Sequence, residues 1–205
     1  NIDATICYKG KIDRYNTNKL IELLDIRLMN LADIESGIRE EDEVILVDAQ
    51  KGNSNIIDMP GTEIICIDQG KGLARLNRET IRLKKGDLLI VNSGVIHGIK
   101  SDSRNILYYR SVVFDLNFLS GSAGDLCQEM VISLLMENKA EFTHLITDTA
   151  EHYEQLYHLF CEIHQCHKEK KPFYYIHLKA LFYEFFYEMF AGNYIITTDA
   201  EQNRN

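Results

Sequence analysis

Two side chains in the middle of the chain have the types and the setting for chemistry: the carboxylate of Glu63, in TEIICID, and the imidazole of His97, at the end of GDLLIVNSGVIHGI. An acid and an imidazole brought together can ligate a metal, pass a proton, or hold a small molecule by hydrogen bonds. Each use makes further demands. A tight metal site needs three or more His, Cys or carboxylate groups converging on one point. Six of the seven histidines lie from His144 onward, which leaves His97 alone among the predicted strands with Glu63 as its one partner candidate. Nucleophilic catalysis needs an activated Ser, Cys or second His beside the imidazole, and no nucleophile elbow or equivalent pattern is present. A contact for a bound ligand and a polar residue in a turn both remain open from the residues alone.

The elements that must position this pair are short strands. EVILVD (43–48), TEIICID (62–68), LARLN (73–77), TIRL (80–83), DLLIV (87–91) and NILYYRSVVF (105–114) are rich in β-branched and aromatic residues and are separated by Gly, Asn, Asp and Lys turns, the spacing of a meander or barrel. LARLN and TIRL lie two residues apart and predict a hairpin. Pro60 and Pro172 both fall at predicted element starts, where a missing N–H is harmless. Upstream, TNKLIELLDIRLMNLADI (17–34) has apolar residues at helical spacing, with a strand around IRLMNL as the competing reading.

After Phe114 the period changes. DLCQEMVISLLMEN (125–138) reads as a helix, and AEHYEQLYHLFCEIHQCHKEK (150–170) as a longer one, opened by a capping box of Asp148 and Glu151 and carrying the stripe Tyr153, Leu156, Phe160, Ile163. A last helix begins near Pro172 and runs to a C-cap at Gly192. Strands first and helices after them define an α+β fold. The last helix is apolar nearly all round: Ile176, Ala180 and Tyr183 lie on one side, Leu181, Phe182, Phe185 and Met189 on another. One stripe suffices to dock a helix, so a second cover is expected, most simply another copy of the chain.

Composition removes several function classes. A chain of 205 residues that is 45% hydrophobic can bury a real core. With 22 Lys and Arg against 31 Asp and Glu, the net charge of −9 repels duplex DNA, and the one basic cluster, KEKK (168–171), sits where a helix dipole favours cations. Five cysteines with no CxxC pair predict free thiols in a reducing cytoplasm. No apolar run approaches the ~18 residues of a membrane span, and no secretory signal is visible. CEIHQCHK (161–168) gathers two thiols and two imidazoles, but at spacings that spread them round a helix rather than toward one ion. Glu184 and Glu188 read as the wet stripe of an apolar helix, and GKG at Lys71 as a hairpin turn. The start at Asn1 and the polar end TTDAEQNRN are expected to be cuts in a longer protein.

Glu63-x6-Gly70 and Gly86-x5-Asn92-Ser93-Gly94-x2-His97 resemble the two cupin motifs, with Asn92 where the second motif has proline. The first motif's two histidines are absent from NIIDMPGT, which argues against the alternative of a metal-dependent cupin enzyme (isomerase or dioxygenase). Taken with VVFDLNFL and the helices ending in HLKALFYEFFYEMF, the chain over residues 43–191 resembles the N-terminal regulatory domain of AraC-type transcription regulators.

That resemblance implies a cupin-like β-barrel (double-stranded β-helix) that binds a small-molecule effector, helices that form a homodimer, and DNA contact only through a C-terminal helix-turn-helix domain missing from this chain. It implies no enzyme activity, no cofactor, no metal and no membrane. The divisions expected are an N-terminal arm or helix at 1–40, a barrel at 41–119, a helical dimerisation region at 120–192 and the start of a linker at 193–205. The implied ligand contacts are Asn55, Glu63, His97, Ile99, Tyr109 and Ser111. Period-two alternation turns Tyr109, Ser111, Glu63, Ile65 and Ile67 inward. The implied dimer contacts are Leu156, Phe160, Ile163, Phe182, Phe185 and Met189.

Overall fold

The structure, a computed structural model, describes residues 61–102, 106–122 and 124–197 in full and the backbone of residues 44–49 and 53–57. The expected arm at 1–40, the helix-or-strand segment at 17–34 and residues 198–205 lie outside the described residues.

Eight strands come first: β1 (Val44–Ala49), β2 (Asn53–Ile57), β3 (Thr62–Gln69), β4 (Lys71–Leu76), β5 (Glu79–Lys84), β6 (Leu88–Val91), β7 (His97–Ser101) and β8 (Tyr108–Phe114). A 3-10 turn, Leu116–Leu119, leads to a π-helical turn, Gln128–Ile132, which runs into α1 (Ser133–Met136). Then come β9 (Ala140–Phe142), β10 (Leu145–Ile146), α2 (Tyr153–Glu169), α3 (Tyr174–Ala191) and β11 (Ile195–Thr197). The strands pair antiparallel into a five-stranded sheet, β1-β8-β3-β6-β10, a four-stranded sheet, β2-β7-β4-β5, and a ribbon, β11-β9.

The expected barrel does not form. Among the described residues all three sheets are open, ending at β1 and β10 in the first and at β2 and β5 in the second. Successive strands switch layers (β3 to one, β4 and β5 to the other, β6 back again), so loops rather than a continuous hydrogen-bonded ladder join the layers. At one edge, β10 is two residues long and pairs only Leu89 and Leu88 of β6. The α+β order itself is as expected, though β9, β10 and β11 interrupt or follow the helices.

Alternation explains the layering. Ile65 and Ile67 of β3, Leu89 and Val91 of β6 and Tyr109 of β8 meet Ala74, Leu76, Ile81, Leu83 and Ile99 of the facing sheet in one apolar interlayer. The residues between them (Ile64, Cys66, Leu88, Ile90, Val112, Phe114) face the other way, onto α2 and α3. The five-stranded sheet is therefore covered on both faces, which is why its strands read as nearly unbroken apolar runs. In β4 and β5 the buried positions alternate with exposed ones on the outer face.

The predicted hairpin is β4–β5, running from Lys71↔Lys84 to Leu76↔Glu79. Gly70, the glycine of the first motif, has φ +92°, and a Cβ there would meet the Ile106 carbonyl oxygen at 2.0 Å; only glycine fits this crossing.

The helices depart from their local signals in three places. The segment expected as one helix over 125–138 is widened at its start, where the Ser133 N–H reaches back to the Gln128 carbonyl and the Gln128 amide donates to Ser133 Oγ at 3.1 Å. Asp148 and Glu151 form no capping box. Asp148 is taken by Lys84 Nζ at 2.5 Å, and α2 starts at Tyr153 after His152 in a left-handed conformation (φ +58°). Gly192 is the C-cap of α3, but the left-handed residue is the next one, Asn193 (φ +57°).

Candidate functional site

His97 opens β7 and Glu63 is the second residue of β3, so the two stand in opposite sheets. Within its own sheet His97 pairs with Leu76 and Ile57, and Glu63 with Val91 and Val113. Alternation turns both inward, and they meet across the interlayer with His97 Nε2 2.9 Å from Glu63 Oε2, both side chains buried. The other ring nitrogen, Nδ1, lies 3.2 Å from the Val95 carbonyl oxygen. A carbonyl and a carboxylate both accept hydrogen bonds, so the imidazole satisfies both only by donating from both nitrogens. Burial is the largest influence on His97 and pushes its pKa down, but the Glu63 hydrogen bond, the Glu63 charge and the Val95 carbonyl together outweigh it and hold the pKa above its ordinary value. In this arrangement neither nitrogen offers a lone pair to a metal or a substrate proton. The pair ties the start of β7 to β3 across the interlayer.

The other expected contacts gather on the same inner surfaces. Tyr109 pairs with Ile67 and Ala49, Ser111 with Ile65 and Val47, and Ile99 with Ala74 and Ser54. All three are buried, with Tyr109 and Ile99 in the interlayer cluster. Ser111 Oγ has no hydrogen-bond partner, one of two such buried side-chain oxygens among the described residues, the other being Asp87 Oδ1. A buried hydroxyl left unpaired costs about 1–3 kcal/mol. Asn55 lies in β2, where the register against β7 shifts between Ser54 and Ile57; its side chain is outside the described residues.

Sequence reasoning missed how the turn between Asn92 and His97 is held. Asn77 Oδ1 accepts from the Ile96 N–H at 3.2 Å while the Asn77 N–H donates to the Ile96 carbonyl at 2.7 Å. Ser93 Oγ accepts from the Gly61 N–H at 3.3 Å. Asn92 itself clamps Phe142 through two bonds, Nδ2 to the carbonyl oxygen at 2.8 Å and Oδ1 from the N–H at 2.9 Å. The one local signal was the departure from proline at this position.

On the opposite face of β8, Arg110 donates to Asp68 from Nε (2.9 Å) and Nη2 (2.8 Å), and its guanidinium lies 5.3 Å from the centre of the Phe160 ring. The Asp68 hydrogen bonds, against the pull of burial, raise the Arg110 pKa. Burial drives the neighbouring Cys66 thiol up to about 12 and keeps it in its unreactive form.

The residues of CEIHQCHK point apart. His164 and His167 are buried, Cys161 faces Arg110, and Cys166 lies 3.8 Å from His177 Nδ1. Among the described residues no three His, Cys, Asp or Glu side chains group to hold a metal ion. Glu188 is mostly withdrawn from solvent and lies 2.6 Å from His152 Nδ1. None of the six residues expected at a dimer contact is at the surface: Leu156, Phe160, Ile163, Phe182, Phe185 and Met189 are all buried within the chain itself, covered by the five-stranded sheet and by one another. The apolar side chains that α3 leaves exposed are others, notably Ile176 and Tyr187.

An apolar layer between two antiparallel sheets, with helices packed on the other face of one of them, is the class of domain that these features define. Residues 58–186 match the family model described as the AraC-like ligand binding domain, more than half of the chain, and the chain belongs to that family. Similar solved structures include a cupin-like protein from Thermotoga maritima, with 20% identity over 37% of this chain and 59% of that one and a TM-score of 0.34. Others are a cupin domain from Schizosaccharomyces pombe (25% identity, 38% and 61%, TM-score 0.30) and a cupin protein from Bacteroides fragilis (22% identity, 39% and 69%, TM-score 0.32). The chain thus spans about six tenths of the length of the first two of these, 59% and 61%. A search of curated proteins returns no significant match.

Proposed function

We propose that this chain is the effector-sensing and dimerisation domain of an AraC-type transcription regulator, working in the cytoplasm and reaching DNA only through a separate helix-turn-helix domain. The observation that carries the reading is the polar group set into an apolar interlayer: the Glu63–His97 pair with the unpartnered Ser111 hydroxyl, in a chain of a ligand-binding family. Small-molecule sites have this make-up, mostly apolar with a few placed polar groups. The alternative, a metal-dependent cupin enzyme, finds no support in an imidazole whose two nitrogens already face acceptors. No helix among the described residues is long and apolar enough to cross a membrane.

A thermal-shift screen of small metabolites tests the sensing role. An effector present at 100 times its Kd is expected to stabilise the domain by about 2.7 kcal/mol. Tyr109→Phe and Ser111→Ala should each weaken binding about tenfold by removing one hydrogen-bonding group, while the domain stays folded. A binder whose affinity neither change alters occupies some other site.

The dimer surface that fits this reading is the exposed face of α3: Ile176, Ala180 and Tyr187 lie on one side of the helix and are all exposed. Two such faces pair across a two-fold axis as one isologous contact. In sedimentation at tens of micromolar the wild-type chain is expected to be dimeric, and Ile176→Glu monomeric with an unchanged Tm at low concentration. A wild-type chain that stays monomeric, or an Ile176→Glu chain that stays dimeric, rejects this surface.

A further inference from the structure

The clamp made by Asn92 does more than end a strand. β6 pairs with β10 at Leu88↔Ile146 and Leu89↔Leu145, and the zipper continues where Ile90 N–H donates to the His144 carbonyl at 2.8 Å and His144 Nδ1 lies 2.9 Å from the Ile90 carbonyl. At Asn92 the side-chain amide takes over. It bonds the Phe142 N–H and carbonyl together, as a paired strand residue would. A proline here, the residue of the cupin motif, could make neither bond.

Phe142 is a junction. Its partner on the far side is Ile195 of β11, and the next residue, Thr143, donates to the Tyr194 carbonyl at 2.8 Å. Its ring lies 5.2 Å from that of Phe186 in α3. On the near side, Asn92 starts the turn that ends in the buried pair. The Asn92 carbonyl accepts from Val95 N–H at 3.1 Å, and the Val95 carbonyl faces His97 Nδ1 at 3.2 Å. The tight turn has one end in the interlayer and the other in the β9–β11 ribbon. The ribbon meets the five-stranded sheet through the zipper and clamp, and β11 is its last element before the chain continues to residue 205.

We propose that Asn92 is a positioning residue that couples the Glu63–His97 pair to the β9–β11 ribbon, so that a change in the pair is read at Ile195–Thr197. The coupling needs no identified ligand, and it stands or falls separately from the effector reading. It is reciprocal: whatever displaces β11 alters the pair by the same factor.

Amide hydrogen exchange on the full 205-residue chain tests this through a double-mutant cycle. The variants are His97→Gln, Asn92→Asp, Asn92→Pro and their combinations. Asn92→Asp keeps the acceptor for the Phe142 N–H and loses the donor, and serves if Asn92→Pro does not fold. Asn92→Pro is expected to speed exchange in the ribbon, including residues 195–197, roughly tenfold, and Asn92→Asp to do so less, as local opening does. With Asn92 in place, His97→Gln is expected to change exchange at 195–197 at least about threefold relative to the α2 amides around Phe160, which report global opening. In either Asn92 variant the same His97 change should move those amides less than about twofold. An equal response to His97→Gln with and without Asn92, or no response in either background, overturns the proposal.

Discussion

Phe182→Ala is expected to lower the unfolding free energy by about 3–5 kcal/mol, the cost of a large-to-small change where the surroundings cannot collapse. Phe182 is fully buried where three elements meet. Its ring lies 4.5 Å from Phe114 of β8 and 6.0 Å, edge-on, from Phe118 of the 3-10 turn, while its backbone belongs to α3. Removing it leaves a cavity between the sheet and the helix that covers it. Urea denaturation checks this, with the slope unchanged, against Glu162→Ala on the exposed face of α2, which should stay within about 0.5 kcal/mol of wild type. The same experiment separates a core residue from an interface residue. A core role makes the loss independent of protein concentration. A loss that vanishes on dilution would return Phe182 to the interface at which the sequence reading placed it.

The second large effect concerns the buried pair. His97→Ala leaves the Glu63 carboxylate in an apolar interlayer without its partner, and breaking a buried ion pair from one side costs about 3–5 kcal/mol. The joint change Glu63→Gln with His97→Gln removes both charges, and is expected to recover much of that loss.

The pair also gives stability a pH dependence of definite sign. Burial acts most strongly on His97 and downward, but the Glu63 hydrogen bond and charge outweigh it, so the folded-state pKa lies above the ordinary value of 6.5. A folded state that binds the proton more tightly than the unfolded chain is stabilised at low pH. This contribution is complete below pH 6.5 and disappears as pH rises through the folded value. Unfolding free energies measured between pH 6 and pH 9 should therefore fall for wild type more steeply than for His97→Gln, with the difference between the two shrinking as pH rises. Parallel profiles would mean that His97 is not protonated in the folded chain.

The inward set was legible because alternation on a strand is a strict rule: with Glu63 and Tyr109 assigned to one face, Ile65, Ile67 and Ser111 follow. What alternation cannot say is whether the outermost strands of a sheet find each other, and the barrel expectation failed there. β7 went unread because HGIKS has a glycine and two exposed or half-exposed polar residues. β9, β10 and β11 went unread because runs of two or three residues carry no period. The capping box at Asp148 lost to Lys84, a partner 64 residues away that no local window contains. The apolar residues of α3 do lie on more than one side, and the structure covers one of them. The sheet and α2 supply that cover, over the face holding Phe182, Phe185 and Met189, and the opposite face with Ile176 and Tyr187 is the one left exposed. A helical wheel shows both faces and cannot rank them.

Because the five-stranded sheet has helices on one side and the facing sheet on the other, β8 alternates between two packed faces: Tyr109, Ser111 and Val113 turn to one, Arg110, Val112 and Phe114 to the other. Lineages descending from this sequence can drift freely at every second residue of β4 and β5, where Arg75 and Arg82 face solvent. In β8 each accepted substitution must be answered by a change in one interior or the other. Divergence in the interlayer and divergence in how the helices pack are thus written into neighbouring codons of one short strand, and the two histories cannot be fully independent.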